Sequence, residues 1–172
     1  MMAKGFFGAV LGALDGESVA KKSSFLWDQK NAQVLCSGIR LHENPFMVRG
    51  FGSTPFDGEG VATVAQDIID DQGYIQTWLH DAQSAHRLGE QPTGHARRGS
   101  SGMPGPGYSN IEVLGGQGDL ESIIKNTKKG LLVTSLMGHS PNMVTGEYSR
   151  GASGFWIENG ECVHPVEEIT IA

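Results

Sequence analysis

Apolar residues in this chain fall into short, interrupted bursts whose spacing alternates between that of helices and that of strands. Phe6, Val10 and Ala13 share one face of a glycine-containing helix that the pattern ends at Gly16. Residues 22–27 and 34–40 read as short strands around a turn at 28–31. The stretch 61–70 reads two ways. Val61, Val64, Ala65, Ile68 and Ile69 fit helical spacing, yet Asp71-Gln72-Gly73 followed by the alternating run from Tyr74 to Leu79 has the form of a β-hairpin. Residues 110–114 predict a strand. Residues 119–129 predict a helix with Asp119 as N-cap, a stripe of Leu120, Ile123 and Ile124, lysines at its negative end, and Gly130 as the stop. Residues 131–137, mostly apolar around Thr134 and Ser135, predict a strand buried on both faces. The last feature is a hairpin of 154–158 and 161–171, with Asn159-Gly160 in the two positive-φ positions of a type I′ turn. These elements add up to an α+β fold, mainly antiparallel β-sheet, with few short helices.

Composition sharpens that picture. The chain holds 25 glycines in 172 residues, about twice the usual share of ~7%, so turns, bulges and glycine-rich loops are expected. Residues 91–108 contain so many prolines and glycines that they form a long surface loop, with Arg97-Arg98 inside it. Loops longer than about 12–15 residues within a domain are usually functional or disordered. A length of 172 residues suits a single domain, 1–172, since one domain takes roughly 100–200. Thirteen Lys+Arg against nineteen Asp+Glu give a net charge of −6, which disfavours nucleic acid as a partner. Cys36 and Cys162 stand too far apart in sequence for a disulfide framework, so reduced cytoplasmic thiols are expected. The apolar run 6–14 is half the ~18–20 residues a membrane span needs. It has the outline of a signal peptide, opposed by Asp15 and Glu17 before the would-be cut.

Four patterns invite chemistry, and each has a plainer account. His80, His86 and His95 are not spaced one helical turn apart around a glutamate, so hydrogen-bonded or surface histidines are expected rather than a metal site. Gly151-Ala152-Ser153-Gly154 approaches a nucleophile elbow, but Phe155 replaces its last glycine; a close approach of two strands explains the small residues better. Gly115-Gly116-Gln117-Gly118 precedes a helix, but Asp119 would repel an anion there, which leaves a tight connection. Cys162 and His164 share a strand face without forming an activated pair, and Cys162 reads as a buried thiol.

The segments 130–138 (GLLVTSLMG), 144–160 (VTGEYSRGASGFWIENG) and 165–172 (PVEEITIA) closely resemble the C-terminal region of the TldD/PmbA family, most of all its PmbA (TldE) branch. The likeness continues upstream through 22–26, 52–61, 67–69, 85–89 and 93–96, so it covers nearly the whole chain. It implies a fold in which 1–16 is an internal helix and 61–79 a hairpin. It also implies a cytosolic zinc metallopeptidase assembled from TldD- and TldE-type subunits and acting on small or unfolded peptides. In the TldD branch a His-Glu-x-x-x-His helix holds the metal; that motif does not occur here, so zinc is expected in a TldD-like partner and not in this chain. His139 is not expected to be a ligand. Two alternatives stand beside this reading. One is a peptidase in its own right, with ligands in parts of the family's sequence absent here. The other is a module that captures peptides along a sheet edge. Family members are longer, so the chain resembles a fragment of the C-terminal domain, and in isolation it is expected to self-associate through exposed edges. The candidate edge is 145–155, where Tyr148, Ser149 and Arg150 would meet a peptide.

Overall fold

The computed structural model describes residues 2–100, 102–138 and 141–172. They form two compact units, Leu11–Gly116 and Gln117–Ala172, the latter grouped with the residues up to Val10. All strand pairs are antiparallel, in three small sheets, and the helices are short, so the fold is the α+β arrangement the pattern predicts.

In the chain's first helix, α1 (Met2–Ala13), the buried positions are Leu11 and Ala13 at the end, with Leu14 beyond it, while Phe6 is 48% exposed. Of the expected face of Phe6, Val10 and Ala13, only Ala13 is buried. The helix also stops before Gly16, because Asp15 caps a second helix, α2 (Gly16–Ala20), by accepting the Ser18 N–H at 2.9 Å. A start signal had the look of a stop.

Residues 22–27 are turns rather than a strand. Ser24 is the cause: its hydroxyl donates to the Ala13 carbonyl at 2.6 Å and accepts the Leu26 N–H, which takes those groups out of any ladder. Residues 34–38 do not pair as a strand either. Val34 and Leu35 both donate to the single carbonyl of Gly73, and Gly38 turns at φ 90°. Regular pairing begins only with β1 (Ile39–Glu43), the middle strand between β2 (Gln66–Ile69) and a later strand, β5 (Ile111–Gly115).

The ambiguous stretch resolves as a hairpin. Ile69 bridges Ile75, and the Asp70 carboxylate accepts the N–H groups of Gln72 and Tyr74, closing the turn at Gly73. The helical spacing from Val61 fails because that segment wraps Asp57, whose N–H donates to the Val61 carbonyl and whose Oδ1 accepts the Val61 N–H. Leu41, Ile68, Ile69, Ile75 and Leu79 are fully buried and form the core of this unit. The helix α3 (Ala82–Leu88) follows, capped by Asp81. The long loop then carries a two-residue ladder of β3 (Ala96–Arg97) and β4 (Gly105–Pro106).

The second unit opens with α4 (Leu120–Asn126), N-capped by Asp119 as the sequence indicates. It ends at Asn126 and not at Gly130, which is already within β6 (Lys129–Met137). The Asn159-Gly160 turn terminates it instead: Gly160 donates to the Thr127 carbonyl and Asn159 to that of Lys128. The expected stripe is not buried either, since Leu120 and Ile123 are each more than half exposed. The C-terminal hairpin forms as predicted from β7 (Arg150–Glu158) and β8 (Glu161–Ile171), with Asn159 at φ 50° and Gly160 at φ 86°. The sheet order is β6-β7-β8. No residue of β6 is fully buried, contrary to the expected two-sided burial, and β6 is an outer strand of its sheet. Cys162, expected to be buried, is exposed on the other outer strand. A Cβ on Gly154 would overlap the Leu132 carbonyl, so close strand approach accounts for that glycine, whereas Gly151 has room for one.

Candidate functional site

The unit Leu11–Gly116 contains an open cleft of about 380 Å³ whose walls come from 51–58 and 96–98, with Tyr108. Phe51, Phe56 and Tyr108 supply apolar surface that is otherwise solvent-exposed, and Arg97 and Arg98 supply positive charge. The segments are held together through Asp57. Its Oδ1 accepts the N–H groups of Glu59 and Val61 at 2.9 Å, and its Oδ2 accepts that of Ala96 at 3.1 Å. Gly58 adds a bond to the Ala96 carbonyl at 2.7 Å, and a Cβ on Gly52 would lie 2.8 Å from the Ser109 carbonyl carbon. The cleft is thus walled by backbone in tight contact.

Behind Arg97 lies a buried polar relay. Glu43, 3% exposed, meets His95 Nε2 with Oε2 at 2.6 Å and accepts the Ser109 N–H on Oε1. Arg97 Nη2 stands 3.9 Å from the same Oε1. On its other side His95 Nδ1 is 2.6 Å from the Thr93 hydroxyl, which also accepts the His80 N–H at 2.8 Å. His80, fully buried, has Nδ1 at 3.2 Å from Ser84 Oγ and Nε2 at 3.5 Å from Glu90, whose other oxygen pairs with Lys30 at 2.5 Å. An ionised carboxylate can only accept, so His95 directs an Nε2–H at Glu43. The histidines that the sequence marks as hydrogen-bonded or superficial are so placed: His80 and His95 are buried in the relay, and His86 is exposed.

Two of these groups give the protein an acid response. Burial would raise the Glu43 carboxyl, but the hydrogen bond and charge of His95 and the hydrogen bonds of Ser109 outweigh it and hold it below its ordinary 4.5. Burial pushes the His80 imidazole below its ordinary 6.5, and Glu90 opposes this only in part. In both cases the unfolded chain takes up the proton first as pH falls, so stability declines with acid. The His80 contribution is complete above about pH 6.5 and the Glu43 contribution above about pH 4.5. Urea unfolding at stepped pH should show a decline in two stages, and His80→Gln should remove the upper stage alone. A flat profile from pH 7 to 5 in the unmutated protein would contradict this.

Tyr148, Ser149 and Arg150 lie in the other unit. Tyr148 and Arg150 are half-buried, Ser149 is exposed, and Arg150 Nη2 donates to the Gly138 carbonyl at 3.2 Å. The expected edge is not an edge from Arg150 onward. There β7 is the central strand, with Gly151 opposite Met137 on one side and Arg150 opposite Ile171 on the other. The free edges belong to β6 and β8. Sequence reasoning did not assemble the cleft. Its signals were the length of the loop 91–108 and the Arg97-Arg98 pair within it; nothing local tied them to Phe51 or Phe56.

Among the described residues no three His, Cys, Asp or Glu side chains are grouped to hold a metal ion. The closest acid–imidazole pair, Glu43 with His95, is spent on itself and on Ser109, so the donors here do not fit a zinc site. His139 lies outside the described residues. Among those described, no helix is long and apolar enough to cross a membrane.

This fold of small antiparallel sheets is shared with known proteins. A family model described as the PmbA/TldA metallopeptidase C-terminal domain matches residues 1–172. The chain belongs to this PmbA/TldD metallopeptidase family, and within it most resembles the PmbA branch. It is 44% identical over 171 residues to the metalloprotease PmbA of Escherichia coli O157:H7, which covers 99% of this chain and 36% of that protein. A TldD homolog of Haemophilus influenzae is 27% identical over 165 residues, 95% of this chain and 34% of that protein. A crystal structure of a putative modulator of DNA gyrase from Bacteroides thetaiotaomicron superposes with TM-score 0.82 at 32% identity, over 95% of this chain and 35% of that one. TldE from Thermococcus kodakarensis gives 0.73 at 28%, over 90% and 36%. The chain therefore spans about a third of the length of the relatives it matches.

Proposed function

We propose that this chain is the C-terminal domain of a PmbA-type subunit in a cytoplasmic metallopeptidase that degrades or processes small or unfolded peptides. Zinc is supplied by a TldD-like catalytic subunit. The observation that carries the reading is the gap between 44% identity to a PmbA protein and 27% to a TldD homolog over nearly the same span. The donor set supports it, because Glu43 and His95 are committed to each other. On this reading Tyr148, Ser149 and Arg150 contact peptide, Arg150 through its side chain because β7 is the central strand of its sheet.

The test is to purify the full-length protein alone and together with a TldD-like subunit, then measure zinc content and cleavage of an unfolded peptide. The expected result is zinc and cleavage in the pair and neither in this subunit alone. Stoichiometric zinc and cleavage by the full-length protein alone would overturn the proposal and establish a peptidase in its own right, with ligands outside these residues.

A further inference from the structure

The cleft has more hydrogen-bond donors than its own acceptors use. Both oxygens of Asp57 are occupied by backbone N–H groups, and both oxygens of Glu43 by His95 and Ser109. The arginines are not so committed. Arg98, exposed in the cleft wall, makes one long bond, 3.4 Å, to the Gly58 carbonyl and is the guanidinium open to a ligand. Arg97 backs it with charge: its Nε and Nη2 face inward, buried without a hydrogen-bond partner and with Nη2 3.9 Å from Glu43, while its stem lies against Gly107. Beside these donors stand Phe51, Phe56 and Tyr108, aromatic walls exposed to solvent at the cleft.

From this geometry we infer that the cleft is a binding site for a carboxylate attached to an apolar or aromatic body, and that the carboxylate is the C-terminus of a peptide. A carboxylate only accepts, and it meets a guanidinium with two parallel bonds. A volume of about 380 Å³ lies at the small end of the ~300–1,000 Å³ typical of ligand pockets, enough for a terminal residue or two rather than a long segment. Phe56 and Tyr108 would flank the terminal side chain. The choice of a peptide terminus, as against another organic acid, rests on the peptidase reading above.

The probe is N-acetyl-Phe-Ala as free acid and as C-terminal amide, titrated calorimetrically into the full-length protein, with N-acetyl-Glu-Ala amide as a third ligand. The free acid should bind about tenfold or more tightly than the amide, the size of one charged hydrogen bond. Arg98→Gln and Arg97→Gln should each shrink that ratio toward one. Arg97→Gln also disturbs Glu43, so its folding is checked by circular dichroism, and Arg98→Gln, at an exposed residue, keeps the test decisive if it fails. Phe56→Ala should weaken the acid and the amide alike. Equal binding of acid and amide overturns the inference even if peptides are cleaved. Equal binding of the free acid and the glutamyl amide overturns the terminal assignment. Preference for the free acid in a protein whose complex cleaves nothing upholds the carboxylate site and removes the peptidase reading.

Discussion

Glu43→Ala is expected to lower folding stability by about 3–5 kcal/mol, the range found when one member of a buried charged pair is removed. The reason is what remains. His95 Nε2–H and the Ser109 N–H lose their acceptor at a site 3% exposed, and Arg97 loses the carboxylate 3.9 Å away. Against the 5–15 kcal/mol typical of a domain, this is a large fraction. The double variant Glu43→Leu with His95→Phe should be less damaging than Glu43→Ala, because it deletes both partners rather than orphaning one. Urea unfolding followed by tryptophan fluorescence reads both, Trp78 being 6% exposed and edge-on to His80. A loss below about 1 kcal/mol for Glu43→Ala would mean that water replaces the carboxylate and that the relay is not closed.

Gly73→Ala is the second large effect, about 2–5 kcal/mol. Two costs add. At φ +84° an L side chain pays roughly 1–2 kcal/mol for the left-handed backbone. The new Cβ would also overlap the carbonyl of Leu35, and forcing extra atoms into a packed place costs about 1–3 kcal/mol more. Gly60→Ala separates the two. Gly60 sits at φ +85° with nothing within 4 Å of a Cβ, so it should show the backbone cost alone. If the two variants are equally stable, the chain at 34–35 moves away from the hairpin turn at no expense, and its hydrogen bonds to Gly73 are not structural.

The parts legible in the sequence are those decided by neighbours in sequence. Asn159-Gly160 fixes its own turn, and Asp119 caps its own helix, since each bond closes within a few residues. What was misread was decided at a distance. Residues 22–27 fail as a strand because of one serine bonded to Ala13, and 34–38 fail because a glycine carbonyl at 73 takes two of their N–H groups. Residues 131–137 look like a strand buried on both faces because they are mostly apolar, yet none of them is fully buried, since what covers a strand's face is set by elements distant in sequence. The cleft was hidden for the same reason. Arg97-Arg98 and Phe51–Phe56 become one site through long-range bonds, Ala96 N–H to Asp57 and Gly58 N–H to the Ala96 carbonyl, and such bonds leave no spacing in the sequence.

The relay behind the cleft also holds one imidazole to a single tautomer. Thr93 owns one hydroxyl proton and three neighbours that accept it: His95 Nδ1 at 2.6 Å, the Trp78 carbonyl at 3.2 Å and the His80 carbonyl at 3.3 Å. With the proton of His95 on Nε2, directed at Glu43, Nδ1 is the acceptor for that hydroxyl. The same Thr93 oxygen accepts the His80 N–H, so one atom ties the two buried histidines together. The tautomer of His95 is thereby set from both sides, and its nitrogen-15 shifts would read that state without any added label.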